Sequence, residues 1–324
     1  MEGVIGRFGT ALGGVVVALG LVLAAQAQEA KKEAPKDLVL KGDAKCTRCH
    51  DAEDEYPVLA IAKTRHGVNA DQRTPTCTSC HGESENHINK PADAKERPKP
   101  DRIFIRNNDT TPPQVQNAAC LTCHSGGSRV HFQGSGHERS QLSCASCHTV
   151  HAARDQVLVT QTQAGVCFTC HKEKRAQIFS FSTHPLRTGW MTCSSCHQPH
   201  GSVAEANLNR NTVNETCYQC HGDKRGPFLW EHAPARESCV ECHNPHGANN
   251  PSLLKVRPPF LCQQCHMSAQ HASTLYSGSN IPPYPGATGT PPIAPGAQML
   301  GQGCANCHSK VHGSNHPSGR FFLR

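Results

Sequence analysis

Ten copies of the pattern Cys-x-x-Cys-His constrain this chain more than any other feature. The first copy is Cys46, Cys49 and His50, and together the copies use all 20 cysteines of the 324-residue sequence. Two thiols in one turn of chain can bond the two vinyl groups on one side of a haem, and the adjacent histidine then reaches the iron as proximal ligand. The pattern therefore predicts ten covalently attached c-type haems.

The predicted attachment residues form two sets. The thioether bonds are assigned to Cys46, Cys49, Cys77, Cys80, Cys120, Cys123, Cys144, Cys147, Cys167, Cys170, Cys193, Cys196, Cys217, Cys220, Cys239, Cys242, Cys262, Cys265, Cys304 and Cys307. The proximal iron ligands are assigned to His50, His81, His124, His148, His171, His197, His221, His243, His266 and His308. Zinc and disulfides are the alternatives. A zinc ribbon does not need a histidine after every cysteine pair, and a disulfide framework would not place every cysteine in one motif.

The fold class follows from the ratio of protein to haem. After the N-terminal leader there are fewer than 30 residues per motif, and only 5% of the chain is aromatic. Protein side chains cannot form a large core, so the porphyrins must supply much of it. We expect an elongated multihaem cytochrome c that is mostly coil, with short helices and little or no strand.

The motifs come in pairs, and the pairs repeat. The central pairs begin at Cys120, Cys167 and Cys217, which are 47 and 50 residues apart. This internal repeat predicts a haem-packed core of five dihaem modules. Their approximate bounds are 46–87, 120–151, 167–200, 217–246 and 262–312, within a decahaem domain of residues 46–324.

The histidine count predicts a second ligand for each iron. Of 22 histidines, ten are proximal, and the repeat supplies one histidine between the two motifs of a module and one after them. His131 and His316 lack the context of the repeat and are interpreted as non-ligands. The predicted distal ligands are His66, His87, His137, His151, His184, His200, His232, His246, His271 and His312.

Chain length limits how these ligands can be shared. His200 follows the proximal His197 too closely to reach the opposite face of the same haem, because a residue spans at most about 3.6 Å. We therefore expect His151, His200 and His246 to bind a neighbouring haem. His184 lies 13 residues after His171. That separation is long enough for His184 to reach the opposite face of the His171 haem, which we take as the expectation.

The N-terminus is typical of an exported protein. An apolar run over 11–25 precedes Ala25-Gln26-Ala27, which predicts a signal peptide over 1–27, with an uncleaved anchor as the alternative. Residues 28–45 are interpreted as a flexible charged leader. Segments 82–119 and 277–303 are longer than their counterparts in the repeat and are interpreted as surface loops or insertions, either spacers or segments that dock partners.

Charge does not indicate a nucleic-acid partner. The polypeptide carries a formal charge of +7. Each ferric haem with two propionates and two neutral histidines adds about −1, so ten haems bring the total to roughly −3.

An iron with two histidines is coordinatively full, which favours electron transfer over catalysis. The sequence therefore predicts a low-potential electron conductor and not an enzyme. A multihaem oxidoreductase with one open haem is an alternative, and a diffusing periplasmic electron carrier or store is another. All ten motifs end in histidine, whereas an open haem is often signalled by an altered motif.

Three stretches resemble the MtrA/MtoA/DmsE family of periplasmic decahaem cytochromes. They are CSSCHQPHG over 193–201, KRGPFLWEHAPARESCVECHNPHG over 224–247 and VHGSNHPSG over 311–319. The resemblance implies bis-histidine haems in a nearly linear array, partly inserted in an outer-membrane β-barrel of the MtrB type. It also implies periplasmic donors or acceptors (an inner-membrane quinol cytochrome or small cytochromes) and, in some members, an outer-surface multihaem partner. The direction of electron flow, toward ferric iron or dimethyl sulfoxide or from ferrous iron, stays open.

Overall fold

Short helical turns joined by extended coil make up the fold. The computed structural model describes residues 43–51, 54, 56–67, 73–105, 110–266, 304–306, 308–317 and 319–323. In these ranges there is no β-strand, and pairing is limited to four isolated bridges, such as Ser182 with Ala248 and His197 with Leu208. The expectation of short helices with little or no strand is confirmed.

The helices are numbered in chain order. The α-helices are α1 Ala44–Thr47, α2 Cys77–His81, α3 Glu85–Ile88, α4 Pro113–Leu121, α5 Gly136–Arg139, α6 Thr160–Phe168, α7 Lys172–Ile178, α8 Val213–Cys217, α9 Ala233–Glu237 and α10 Phe260–Gln263. The 3₁₀ turns are Val58–Lys63, Arg65–Gly67, Gly127–Arg129, Cys144–Ser146, Gln156–Leu158, Cys193–Ser195, Glu205–Asn207, Gly222–Lys224, Cys239–Glu241, Pro251–Leu253, Cys304–Asn306 and Gly319–Phe321.

The two motifs of a module begin differently. In the central modules the first motif lies at the end of an α-helix, as Cys120 does in α4 and Cys217 does in α8. The second motif opens a 3₁₀ turn. Ser143 and Thr192 precede two of these turns and form capping boxes with Ser146 and Ser195. A capping hydroxyl satisfies backbone N–H groups that a short helix leaves unpaired.

In the part of the chain that the structure describes, apolar side chains do not form a conventional core. Among the described residues, the buried hydrophobic ones are Ala119, Phe132, Ile178 and Ala248. Large apolar side chains such as Trp190 (88% exposed) and Phe181 (78% exposed) are not covered by other protein atoms. Burial of apolar surface is the main stabilising term in folding, so this polypeptide requires apolar material from another source. Haem macrocycles are the source that the motifs imply.

Consecutive modules touch through glycines that follow the later histidines. Gly201, Gly247 and Gly313 have φ values of +92°, +140° and +137°. A Cβ at these positions would overlap the carbonyl of His131, the carbonyl of Gln177 and the ring of Phe228, respectively. Only glycine permits both this conformation and this close approach. The His-Gly pairs of the repeat therefore mark the contacts between one module and the one before it.

The flexible leader was predicted to extend to residue 45. This boundary is wrong, because the last three of these residues are structured. Asp43 is fully buried, and α1 starts at Ala44. The Asp43 carboxylate accepts a hydrogen bond from the Cys77 N–H at 2.8 Å, so residues 43–45 belong to the first module. None of the described helices is long and apolar enough to cross a membrane.

Candidate haem sites

One turn of helix orients each motif. The N–H of the histidine donates to the carbonyl of the first cysteine, for example His124 to Cys120 at 2.9 Å and His171 to Cys167 at 3.0 Å. This bond places the two cysteines and the histidine around a single turn. That arrangement suits thioether attachment at two vinyl groups with the imidazole beneath the ring.

Within a module the two attachment points are adjacent. The side chains of the first cysteines of the paired motifs lie next to each other in all five modules: Cys46 with Cys77, Cys120 with Cys144, Cys167 with Cys193, Cys217 with Cys239, and Cys262 with Cys304. The motifs of a pair are therefore neighbours in space as well as in sequence.

In modules one, two and four, a polar side chain before the first motif accepts a hydrogen bond from the second motif. The sequence analysis did not identify these residues. Asn117 Oδ1 accepts from the Cys144 N–H at 2.8 Å, and Asn214 Oδ1 accepts from the Cys239 N–H at 2.7 Å. Asp43 makes the same contact in module one. Each lies three residues before a first cysteine, which is a signal that the sequence contains. Pro259 occupies this position in module five.

The structure brings proximal and predicted distal histidines together in nine pairs. Their imidazole centroids are 5.9–6.3 Å apart. With the proximal residue first, the pairs are His50–His87, His81–His151, His124–His66, His148–His200, His171–His137, His197–His246, His221–His184, His243–His312 and His266–His232.

The geometry of these pairs fits a metal between the rings. Two imidazoles bound through Nε2 at about 2.0–2.1 Å place their centroids roughly 6 Å apart. The angle between ring planes ranges from 9° in His148–His200 to 84° in His66–His124, while the distance stays nearly constant. A shared metal fixes the distance and leaves rotation about the axis free. Aromatic pairs without a metal spread over about 4.5–7 Å.

Hydrogen bonds at Nδ1 hold several rings with Nε2 available for iron. Backbone carbonyls accept from His81, His87, His137, His184, His197 and His243 at 2.7–2.9 Å. Asp54 and Asp155 carboxylates take this role for His50 and His148, at 2.8 and 2.6 Å. An acceptor at the second nitrogen fixes the tautomer and the orientation of a ligating histidine.

Burial keeps many of these imidazoles neutral, as a metal ligand must be. It is the largest cause lowering the pKa of His81, His124, His151, His200, His232, His246 and His312. The effect is largest at His246, whose pKa falls to about 4. Desolvation disfavours the charged form of histidine.

Three of the predicted distal histidines lie opposite a proximal histidine of a neighbouring module, as the expectation of shared ligands requires. His151, His200 and His246 face His81, His148 and His197, each of which belongs to the preceding module. The expectation that His184 returns to the haem of His171 is wrong. His184 faces His221 in the following module, and His171 faces His137. The His184 Nδ1 donates to the Pro245 carbonyl of that following module, which turns the ring away from its own motif.

Segment 82–119 was interpreted as a surface loop or insertion, and it has a further role. The Arg102 carbonyl accepts from His81 Nδ1 at 2.9 Å, and the Pro98 carbonyl accepts from His87 Nδ1 at 2.8 Å. The Asp101 carboxylate accepts from the Ser84 N–H. The segment therefore orients two histidines of module one.

Some predicted features lie outside the described residues. They are the signal peptide 1–27, leader residues 28–42, His271, Cys307 and the segment 277–303. His308 is described, and its Nδ1 contacts the Phe321 carbonyl. The non-ligands predicted from the repeat, His131 and His316, are not part of the nine ring pairs.

Comparisons with known proteins agree with the motif chemistry. The doubled CXXCH motif family matches residues 184–226 and 232–271, and the NrfB-like family of cytochrome c-type proteins matches 77–164. The chain is 42% identical over 298 residues to the multiheme cytochrome MtrA of Shewanella baltica, covering 91% of this chain and 85% of that protein.

A second relative is similar over a shorter region. The cytochrome c-type protein NrfB of Haemophilus influenzae is 34% identical over 148 residues, which is 40% of this chain and 65% of that protein. The near full-length match to MtrA decides the family. The chain belongs to the MtrA family of multihaem cytochromes, which are electron-transfer proteins with covalently attached c-type haems.

Proposed function

We propose that this protein holds ten haems, each with two histidine ligands, and that it conducts electrons along them. The observation that carries the proposal is the set of nine imidazole pairs at 5.9–6.3 Å. For the tenth haem, at His308, we assign His271 as the second ligand, because it is the one predicted distal histidine that remains. The haem supplies the redox chemistry when bound, while the polypeptide sets spacing, ligation and insulation.

The pairing joins every module to the next. At each junction, a histidine of the earlier module faces the first motif of the later one, and a histidine of the later module faces the second motif of the earlier one. Between modules three and four these are His184 with His221 and His246 with His197. Contacts limited to neighbouring modules are typical of linear repeat proteins, and they support an array of haems with a continuous path.

We further propose that the array carries electrons between the periplasm and the cell exterior. An outer-membrane β-barrel of the MtrB type would enclose the chain, which the N-terminal signal would export. An inner-membrane quinol cytochrome or small periplasmic cytochromes would serve the inner end, and an outer-surface multihaem cytochrome the outer end. Family membership supports this role, with ferric iron reduction and ferrous iron oxidation as the candidate overall processes.

Carbon monoxide binding separates conduction from catalysis. The dithionite-reduced holo-protein is titrated with carbon monoxide, and the oxidised form is examined for high-spin signals. We expect no stoichiometric binding, because each iron already has two strong ligands. Binding at one haem equivalent would overturn the fully bis-histidine proposal and favour an oxidoreductase with an open haem.

Whole cells test the conduit. A deletion strain and its complemented form are assayed for ferric oxide reduction and ferrous iron oxidation, and the protein is sought in outer-membrane fractions. We expect loss of one iron activity and its recovery on complementation. If neither iron activity changes, the mineral-linked role is wrong, and a dimethyl sulfoxide pathway or a periplasmic carrier or store becomes the better account.

A further inference from the structure

The second motifs of modules two, three and four occupy equivalent positions but have different partners at the proximal histidine. The His197 Nδ1 donates to the Ala206 carbonyl at 2.9 Å, and the His243 Nδ1 donates to the Ser252 carbonyl at 2.7 Å. At His148 the acceptor is the Asp155 carboxylate, at 2.6 Å. One site of the three therefore has an anionic acceptor where its counterparts have neutral ones.

Local backbone structure causes the difference. In modules three and four the loop after the motif contains residues in the left-handed region, with Ala206 at φ +51° and Ser252 at +56°, and their carbonyls face the imidazole. All three loops form a 3₁₀ turn, but the turn of module two, Gln156–Leu158, has no residue in the left-handed region and is capped by the Asp155 side chain. The side chain at the cap replaces the carbonyl as the acceptor.

The Asp155 carboxylate is held in place and largely shielded from water. Its Oδ1 accepts from the backbone N–H groups of Thr149 and Val157 at 3.3 and 3.4 Å, and its Oδ2 accepts from the imidazole. The side chain is 16% exposed, against 30% for His148. A charge-assisted hydrogen bond is roughly twice as strong as a neutral one, and partial burial limits its screening.

We propose that Asp155 lowers the reduction potential of the haem at His148 below that of the equivalent haems at His197 and His243. The inference rests on the proposed bis-histidine ligation. A carboxylate hydrogen-bonded to Nδ1–H makes the imidazole a more basic ligand. A more basic ligand stabilises ferric iron over ferrous iron, and second-shell hydrogen bonding is a recognised control of haem potential. The one-electron reduction of this haem is therefore less favourable.

A second carboxylate tests the same idea at another site. Asp54 Oδ2 accepts from His50 Nδ1 at 2.8 Å, but its side chain is 33% exposed. We infer the same direction of effect at the His50 haem and a smaller magnitude, because water screens an exposed charge more strongly.

A nearby cation is expected to raise the reduction potential of the same haem, but it makes no hydrogen bond to the His148 ring. Arg129 influences His200, the facing partner of His148, and its Nε donates to the His124 carbonyl at 3.1 Å. A guanidinium favours ferrous iron through space. The Asp155 contact acts directly on the ligating ring, so we expect the carboxylate to dominate.

The test is a spectroelectrochemical titration of the purified holo-protein carrying Asp155→Asn. We expect one of ten haem equivalents to move to higher potential, by about tenfold in its ferrous-to-ferric ratio, which is 59 mV for one electron. Asp155→Glu keeps the carboxylate and is expected to keep the potential near the wild-type value. Glu205→Gln is the matched control. It removes one exposed charge from the equivalent loop of module three, where His197 bonds to the backbone of Ala206.

Several outcomes would overturn the proposal. They are an unchanged titration for Asp155→Asn, a downward shift, or an equal shift for Glu205→Gln. If Asp155→Asn loses its low-spin spectrum, Asp54→Asn supplies the test, and an unchanged potential there also contradicts the proposal. The wild-type protein is first checked for carbon monoxide binding, so failure of the bis-histidine proposal is recognised separately from failure of the carboxylate effect.

Discussion

The first and second haem sites of the central modules share one motif but differ in their surroundings. At the first-motif sites, the planes of the facing rings are inclined by 84°, 66° and 55° for proximal His124, His171 and His221. At the second-motif sites the angles are 9°, 10° and 15° for proximal His148, His197 and His243. The motif therefore specifies attachment but leaves the orientation of the ligands to other residues.

The module that provides the facing histidine explains part of this difference in ring angle. First-motif sites receive their facing histidine from the preceding module, and in two of them that histidine is held by a carbonyl of the site's own module, Pro199 or Pro245. Second-motif sites receive their facing histidine from the following module, and that histidine is directly followed by a glycine in the sequence. Their proximal ring is held by a loop seven to nine residues downstream. Two differently anchored sets of rings thus alternate along the chain.

The largest effect, a new carbon monoxide binding site, is expected from removing one facing histidine at the junction of modules three and four. His246→Ala should open the second-motif site of His197, and His184→Ala should open the first-motif site of His221. Each variant should bind carbon monoxide at one haem equivalent after reduction, because one iron loses a ligand. His131→Ala and His316→Ala are the controls and should bind none. Binding in a control would contradict its assignment as a non-ligand.

Electron paramagnetic resonance of the same two variants, in the oxidised state, tests whether the first-motif and second-motif sites differ in ring orientation. The mutual orientation of two imidazole planes sets the splitting of the iron orbitals, so inclined and near-parallel sites should give low-spin signals of different shape. His184→Ala should remove intensity from the inclined class, and His246→Ala from the near-parallel class. Loss from the same class in both variants would contradict the distinction.

A smaller effect is expected from Gly247→Ala, which tests the contact behind the second-motif site. The methyl group would overlap the Gln177 carbonyl at a φ of +140°, so the module contact must shift. Backbone strain of this kind costs about 1–3 kcal/mol in free energy of unfolding, measured by denaturant titration of the holo-protein. Gly222→Ala is the control, because a Cβ there meets no atom within 4 Å. Equal destabilisation by both substitutions would contradict the packing argument.

The smallest effect is expected from Asn214→Asp, which tests the link between the two sites of one module. The Asn214 amide donates to the Ala235 and Arg236 carbonyls at 3.1 and 2.9 Å and accepts from Cys239. Aspartate keeps the acceptor and loses the donors, which we expect to cost about 1 kcal/mol. Asn214→Ala removes both and should cost about 1–3 kcal/mol. The order of the two variants in thermal denaturation checks this, and the reverse order would contradict it.

The sequence alone predicted the family, the lack of strand among the residues that the structure describes, and the attachment motifs. The motifs are predictable because thioether chemistry is local. Cys120, Cys123 and His124 lie in one helical turn, and no tertiary contact is needed to bring them together. The repeat also singled out the nine described histidines that face a proximal partner. Residues at equivalent positions of a repeat have a common role. A histidine directly followed by glycine, as in His246-Gly247, marked one such position.

Tertiary structure decided which histidine faces which proximal histidine. Chain length allowed His184 to return to His171, but the Pro245 carbonyl of the next module holds its ring toward His221. The links made by Asn117 and Asn214 also became visible only in three dimensions, because their acceptor role depends on a backbone N–H more than 20 residues away.

The sequence by itself determined what this protein binds covalently and how many ligands it can offer, because both depend on residue type and local spacing. The tertiary structure alone decided how the candidate histidine ligands pair across modules and how their rings are oriented. It also decided which sites face a carboxylate, as His148 faces Asp155. These properties depend on the packing of each module against its neighbours and on local backbone geometry, which residue spacing does not specify.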